Sequence, residues 1–128
     1  EMFIKIAGEA AEGVIITTSL DRDSSDPLAR AFIKGVQAKS GYPADMVSAS
    51  THTAILVLAA ALKQAGAGDK ASLRDAIAAT SINAATGNIS FNKLGEVKKS
   101  VQVQIVRDGG WHHYAVITDP VLLAPPEE

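Results

Sequence analysis

The stretch that decides the fold is SASTHTAILVLAAALKQAG, residues 48–66. No polar side chain occurs between Ala54 and Leu62, and apolar residues recur at helical spacing around most of the circumference. This pattern is typical of a helix that is covered on several sides. The uncharged run is too short to cross a bilayer, which needs roughly 20 residues. We therefore predict a buried central helix.

The ends and the packing of this helix are also predicted. Ser48 or Ser50 is expected to cap its start, and Gly66 and Gly68 are expected to end it. Its least exposed side chains are expected to include Ile55, Leu58 and Leu62. At a fully packed site, Leu58→Ala should then cost roughly 2–5 kcal/mol.

Length, charge and composition exclude several classes of function. The 128 residues suit one domain or a piece of a larger one, and the net charge of −2 gives no reason to expect nucleic acid as a partner. The chain has no cysteine, which excludes disulfides, thiolate catalysis and cysteine metal sites. We expect no cofactor.

Before the central helix, the sequence predicts one strand and one helix. Residues 13–18 form a β-branched run entered through glycine, which favours a strand buried on both faces of a parallel sheet. Asp26 followed by Pro27 is a helix start signal, and the helix is expected to run to about Lys39. The Gly41 and Pro43 that follow should end it.

After the central helix, Asp69 is expected to cap a short helix over residues 70–80. Residues 86–92 are predicted to be extended and to lead into a turn at residues 92–95. Alternating apolar residues predict a strand over 101–106, joined by an Asp-Gly-Gly turn to a partner strand over 111–117. Prolines and glutamates suggest a tail over 119–128, so the domain is expected to cover residues 1–118.

Two clusters of polar residues could suggest a metal site. The loop DRDSSD, residues 21–26, has acidic residues at alternate positions, but a calcium loop requires a glycine at its sixth position and a glutamate at its twelfth. Those positions hold Asp26 and Phe32. His112 and His113 are adjacent on a predicted strand and should point to opposite faces. We expect no metal site and no catalytic residue.

Hydroxyl groups and an imidazole gather at the start of the central helix, in Ser48, Ser50, Thr51, His52 and Thr53. No Gly-x-Ser-x-Gly motif accompanies them, so a nucleophilic serine is not favoured. Two interpretations remain open for this cluster. One is ordinary helix capping, and the other is a helix N-terminus that receives a ligand carboxylate.

The order of segments resembles the leucine/isoleucine/valine-binding proteins that serve branched-chain amino-acid ABC importers. The motifs that carry this resemblance are Ala-Glu-Gly-Val-Ile-Ile-Thr at 11–17, Asp-x-x-x-Leu-Arg-Asp-Ala-Ile at 69–77 and Thr-Gly-x-Ile-Ser-Phe-Asn-x-x-Gly at 86–95. They occur in the C-terminal part of those proteins. The implied fold is α/β, a fragment of a two-lobed periplasmic binding protein of type I, with a parallel sheet flanked by helices and a C-terminal β-hairpin.

The resemblance also implies a function. It is that of an extracytoplasmic solute-binding subunit, periplasmic or tethered outside the membrane, that delivers amino acids or related carboxylates, including aromatic acids, to ABC permease subunits. Most family contacts to the ligand would lie upstream of this chain. One contact position, where family members often carry an aromatic residue, aligns with Val47, next to Ser48 and Ala49. We expect these three residues to contact the ligand.

Two other functions are compatible with the sequence. One is a ligand-sensing domain of the same fold in a regulator or receptor. The other is a hydrolase fragment that uses His52 or His113, for which the sequence has no supporting motif. Because neighbouring strands of the fold would lie upstream, the chain is also expected to self-associate through residues 14–17 or 101–106.

Overall fold

The computed structural model describes residues 2–66 and 69–123, and it combines helices with two small sheets. The helices are α1 (Met2–Ala7), a 3-10 turn (Gly8–Ala11), α2 (Pro27–Ser40), α3 (Met46–Ala65), α4 (Lys70–Ala78) and α5 (Pro120–Leu123). The strands are β1 (Ile15–Thr18), β2 (Ile82–Ala84), β3 (Gly87–Phe91), β4 (Val97–Lys98), β5 (Val101–Arg107) and β6 (Gly110–Ile117).

The two sheets have the orders β1-β5-β6 and β2-β3-β4. Every strand pairing among the described residues is antiparallel, including that of β1, in which Ile15 pairs with Ile105. The prediction of a parallel strand buried on both faces at 13–18 is therefore wrong. Strand β1 has one neighbour and alternates between exposed and covered positions, because its partner β5 arrives from far downstream as an antiparallel strand.

Helix α2 follows its sequence signals. The Asp26 carboxylate accepts hydrogen bonds from the backbone N–H groups of Leu28 and Ala29, and Pro27 occupies the first turn. Gly41 ends the helix with φ of 74°, a left-handed conformation that glycine adopts without strain. Both predicted ends are confirmed.

Helix α3 begins earlier than predicted. Its N-cap is Asp45, so the prediction that Ser48 or Ser50 caps it is wrong, while its C-cap is Gly66, as predicted. Gly68 lies outside the described residues. At 20 residues and a mean hydropathy of 1.4, the helix is long and apolar enough to cross a membrane by length and composition alone. Only four of its 20 residues are buried, so the prediction of a helix covered on several sides is wrong for the described part of the chain.

The face that α3 buries is not the predicted one. Its buried residues are small or β-branched, namely Ala49, Thr53, Val57 and Ala61. The predicted core residues Ile55, Leu58 and Leu62 are 59%, 38% and 48% exposed. The correction has a simple geometric cause: α4 and β2 contact α3, and Leu20 and Ala44 pack against Ala49, so the face that is covered is the one that bears the small and β-branched side chains.

The remaining sequence predictions concern turns and the last strands. Asp69 caps α4, as predicted, and Asn92 Oδ1 accepts hydrogen bonds from two backbone N–H groups of the turn that follows β3. Strands β5 and β6 form the predicted hairpin, with Asp108 and Gly109 at φ of 50° and 71°. The segment assigned to the tail begins with α5, and residues 124–128 lie outside the described part of the chain.

Two separate cores underlie this architecture. One joins Ala11, Val106 and Trp111 beneath the β1-β5-β6 sheet, and the other joins Leu20, Ala44 and Ala49 between α2 and α3. The chain passes from the first region to the second after β1 and returns before β5. The described residues therefore pack around two clusters rather than one.

Candidate functional site

The start of α3 is held by a reciprocal capping box. The backbone N–H of Ser48 donates to Asp45 Oδ1 at 2.7 Å, and the backbone N–H of Asp45 donates to Ser48 Oγ at 3.0 Å. The Ser48 hydroxyl also donates to the Asp45 carbonyl at 2.9 Å. The hydrogen bond from the Ser48 backbone is the main reason why the pKa of Asp45 lies below its usual value of 3.8.

The three residues of the expected ligand contact occupy different environments. Val47 is 64% exposed, Ser48 is committed to the capping box, and Ala49 is fully buried against Leu20 and Ala44. Only Val47 presents an accessible side chain. Ligand contact at Val47, Ser48 and Ala49 stays a prediction, although the described residues leave no accessible surface at Ala49.

The cluster of hydroxyls does not surround the helix N-terminus. Since α3 starts at Met46, the positions from Ser50 to Thr53 lie in its body, and the Asp45 carboxylate already occupies the N-terminus. A ligand carboxylate there would meet a like charge. Thr53 is instead buried, with its hydroxyl 3.0 Å from that of Thr86. The exposed ring of His52 contacts Phe32, at a centroid distance of 5.0 Å.

The polar loop after β1 binds the end of the β5-β6 hairpin. Nδ1 of His113 lies 2.7 Å from Asp21 Oδ2, and Nδ1 of His112 lies 3.1 Å from Asp23 Oδ2. Within residues 2–66 and 69–123, no three histidine or acidic side chains are grouped in a way that could hold a metal ion. The two imidazoles contact different carboxylates, so the cluster is a pair of contacts that fasten the loop.

Two apolar grooves flank α3. A groove of about 540 Å³ lies between α2, α3 and β2 and is lined by Phe32, His52 and Ala84 among others. A second groove, of about 370 Å³, lies on the other side between α3, α4 and the β3-β4 hairpin. Both volumes fall within the range of small-molecule sites. The second groove is bordered by Lys99, which the sequence analysis did not single out because a single lysine in a polar turn has no distinctive signal.

Comparison with known proteins bears directly on this architecture. A family model described as periplasmic binding protein matches residues 1–110, which is most of the chain. The chain belongs to the periplasmic binding protein family. This periplasmic binding protein is 30% identical, over 93 residues, to the leucine-, isoleucine-, valine-, threonine- and alanine-binding protein of Pseudomonas aeruginosa. That match covers 73% of the present chain and 25% of the relative.

Solved structures agree in fold. A leucine-binding protein of Thermotoga maritima superposes with a TM-score of 0.83 at 33% identity, covering 94% of this chain and 35% of the other. A solute-binding protein of R. palustris, solved in complex with benzoate, gives a TM-score of 0.76 at 22% identity, covering 88% of this chain and 32% of the other. The chain thus spans about a third of these two-lobed proteins, and the predicted α/β fragment of a type I fold is confirmed.

Proposed function

We propose that this periplasmic binding protein is part of an extracytoplasmic solute-binding subunit that takes up amino acids or related small carboxylates and delivers them to an ABC permease. The observation that carries the proposal is the relationship to two proteins named for amino-acid binding, at 30% and 33% identity. The chain spans only 25% and 35% of those proteins, so the activity belongs to the two-lobed assembly. These relatives are solute-binding proteins rather than enzymes, and we assign no catalytic step to this chain.

The two cores support a binding mechanism by lobe closure. Ser19 follows β1 and Lys99 precedes β5, so these residues lie on the two described connections between the cores. The Lys99 ammonium donates to Ser19 Oγ at 2.5 Å, which joins the two connections. Bending at such connections would let two lobes close around a solute, as in hinge-type binding proteins.

Val47 is the residue of the expected contact that suits this mechanism best. Its side chain is exposed at the first turn of α3, beside the capping box that fixes the helix start. Valine occupies less space than the aromatic residue that is frequent at this position in the resembling family. The assembled pocket would then admit a bulkier solute, which is why aromatic acids are included in the ligand class.

Calorimetric titration tests the proposal. The two-lobed polypeptide that contains this chain is titrated with a panel of aliphatic amino acids and aromatic acids, beside the 128-residue chain alone. We expect binding by the two-lobed protein and weak or no binding by the chain alone, because most contacts would come from elsewhere. The absence of binding by the two-lobed protein across the panel would refute the proposed ligand class.

A further inference from the structure

The turn between β5 and β6 holds the only aspartate or asparagine of the 128 residues that is followed by glycine. Asp108 and Gly109 are both exposed, and their φ angles are positive, at 50° and 71°. Among the described residues, Asp108 is the only non-glycine residue with a positive φ. This left-handed conformation is unfavourable for a residue that has a Cβ atom, although aspartate tolerates it better than most. The turn thus combines a distinctive dipeptide with a conformation that its first residue does not favour.

A single carboxylate holds this turn. Glu12 Oε1 accepts the backbone N–H of Gly109 at 2.7 Å, and Glu12 Oε2 accepts that of Asp108 at 3.1 Å. Glu12 reaches the turn because the next residue lies beside β5, where the Gly13 N–H donates to the Val106 carbonyl at 3.0 Å. Hydrogen bonds to a carboxylate are stronger than those between neutral groups. All of these contacts lie within the chain itself, so they require no other part of the two-lobed protein.

An aspartate followed by glycine can convert to isoaspartate with water as the only other reactant. The backbone nitrogen of Gly109 attacks Cγ of Asp108 in its neutral acid form, and a C–N bond forms. The nitrogen loses its proton and the carboxyl group loses a hydroxyl, which together leave as water. The resulting succinimide ring then adds water: addition at Cγ restores aspartate, whereas addition at the main-chain carbonyl leaves the main chain running through the side chain. Glycine favours ring closure because no Cβ atom hinders its nitrogen.

We propose that Asp108 is a site of isoaspartate formation and that Glu12 restrains the reaction. The nitrogen of a succinimide carries no hydrogen, so ring closure abolishes the bond from Gly109 to Glu12 Oε1. Glu12 therefore stabilises the unreacted turn and not the ring. Isoaspartate adds one main-chain carbon to the turn, directly beside the pair formed by Arg107 and Gly110. The proposal concerns the hairpin alone and does not depend on solute binding.

Ageing of the two-lobed polypeptide that contains this chain tests the proposal. Peptide mapping that separates aspartyl from isoaspartyl forms follows the fraction of isoaspartate at residue 108 over time. The natural protein is compared with Glu12→Ala and with Glu9→Ala, which removes an exposed acid of the neighbouring 3-10 turn. We expect isoaspartate at residue 108 in the natural protein and about tenfold faster formation in Glu12→Ala, the equivalent of one hydrogen bond to a charged group. Glu9→Ala should leave the rate unchanged.

Asp23, which is followed by Ser24, provides an internal reference, because it can isomerise by the same steps in a different loop. Glu12→Ala should not change the rate at Asp23, which separates release of the turn from general loosening of the fold. Glu12→Gln keeps one acceptor oxygen and should give an intermediate rate, so the proposal stays testable even where Glu12→Ala does not fold.

Four results would each overturn the proposal. They are equal rates in the natural protein and the Glu12 variants, slower formation in those variants, equal acceleration at residues 23 and 108, and no isoaspartate at residue 108 in any of these proteins. Slower formation would mean that Glu12 assists the reaction by accepting the proton of Gly109. Solute binding is measured separately, so failure here leaves the proposed function standing.

Discussion

Asp45 determines where the longest helix of the molecule begins. Its carboxylate and the Ser48 hydroxyl satisfy each other's backbone N–H groups, and this reciprocal bonding stabilises the first turn of α3. The sequence contains this signal as Asp-x-x-Ser, but the serines that follow compete for the same role. When several residues that can cap a helix lie close together, only the position of the first helical turn shows which of them is the N-cap.

At this residue, we expect Asp45→Ala to lower the free energy of unfolding by about 1 kcal/mol, because one helix N–H loses its acceptor. Urea denaturation near neutral pH measures the loss. The control is Asp45→Asn, which keeps an acceptor oxygen and should cost less. If both variants are equally unstable, the capping box is not the cause.

The same aspartate predicts a dependence on pH. Because folding lowers the pKa of Asp45, its charged form contributes stability above the usual value of 3.8, and this contribution is lost as pH falls through the lower, folded-state pKa. The difference in unfolding free energy between the natural protein and Asp45→Asn should therefore shrink between about pH 5 and about pH 2. A difference that does not change with pH would contradict this.

Asp21 and Asp23 differ in exposure although both contact a histidine of β6. Their side chains are 10% and 46% exposed, respectively. Asp21 accepts the backbone N–H of Asp23, and Asp23 accepts that of His113, so the two carboxylates differ in burial rather than in the number of donors that they satisfy. We expect Asp21→Ala to cost about 1–3 kcal/mol and Asp23→Ala less than about 1 kcal/mol in thermal unfolding. The reverse order would show that the loop is fastened in another way.

At the scale of elements, α3 explains why the core was only partly predictable. Its apolar composition correctly predicts a long helix that ends at Gly66, but the predicted cover on several sides is not found among the described residues. Composition alone cannot tell which face meets a neighbour, because apolar residues surround most of the circumference. The described neighbours cover the narrow face of Ala49, Thr53, Val57 and Ala61, which lets α4 and β2 approach closely.

Two adjacent residues of α3 test this assignment of faces. Val57 is 7% exposed, so Val57→Ala should cost about 2 kcal/mol through lost burial and the cavity left behind. Leu58 is 38% exposed, and Leu58→Ala in the same chain should cost less than about 1 kcal/mol. Urea denaturation of both variants is the measurement. A larger loss for Leu58→Ala would restore the predicted core and contradict the observed one.

Strand direction was the least predictable feature. The β-branched run in β1 signals a strand, but nothing local shows that its partner is β5, about 90 residues downstream and antiparallel. Gln104 of β5 is a second example. The alternation of apolar and polar residues in this strand predicts an exposed side chain, but Gln104 is fully buried and accepts a hydrogen bond from Arg22. Both the direction of β1 and the burial of Gln104 depend on contacts between residues far apart in the sequence.

At the scale of the whole molecule, the strand order reduces the number of strands through which the chain could self-associate. Strand β5 pairs on both sides, so residues 101–106 offer no edge and that half of the prediction is wrong. Strand β1 pairs on one side only among the described residues, which leaves residues 14–17 as the predicted interface.

Light scattering over a dilution series tests this interface. We expect the 13.3 kDa chain to form dimers or larger species that dissociate on dilution. Ile15→Lys should shift the population toward monomer, since Ile15 is exposed on β1 and a lysine guards a strand edge. The matched control is Leu94→Lys, at an exposed turn. A monomer at all concentrations, or equal effects of both lysines, would contradict association through β1.

For the candidate site, the sequence predicts which residues to consider but not the environment of each residue. Resemblance directed attention to Val47, Ser48 and Ala49, but the capping box and the burial of Ala49 follow from the helix start and from packing against Leu20. The groove beside Lys99 depends on α4 and the β3-β4 hairpin meeting α3, and no local pattern in the sequence encodes that meeting.

The affinity of the two-lobed protein for bulky aromatic acids such as phenylalanine and benzoate, measured by calorimetry with Val47→Trp and with Leu94→Trp as control, tests the central claim most directly. Both residues are exposed, and only Val47 lies at the start of α3. We predict that the natural protein binds at least one of these acids, that Val47→Trp weakens this binding at least about tenfold by filling the space that valine leaves, and that Leu94→Trp does not. Undiminished binding in Val47→Trp would mean that the solute does not contact the start of α3. No binding by the natural protein would contradict the proposal that it recognises amino acids or related small carboxylates.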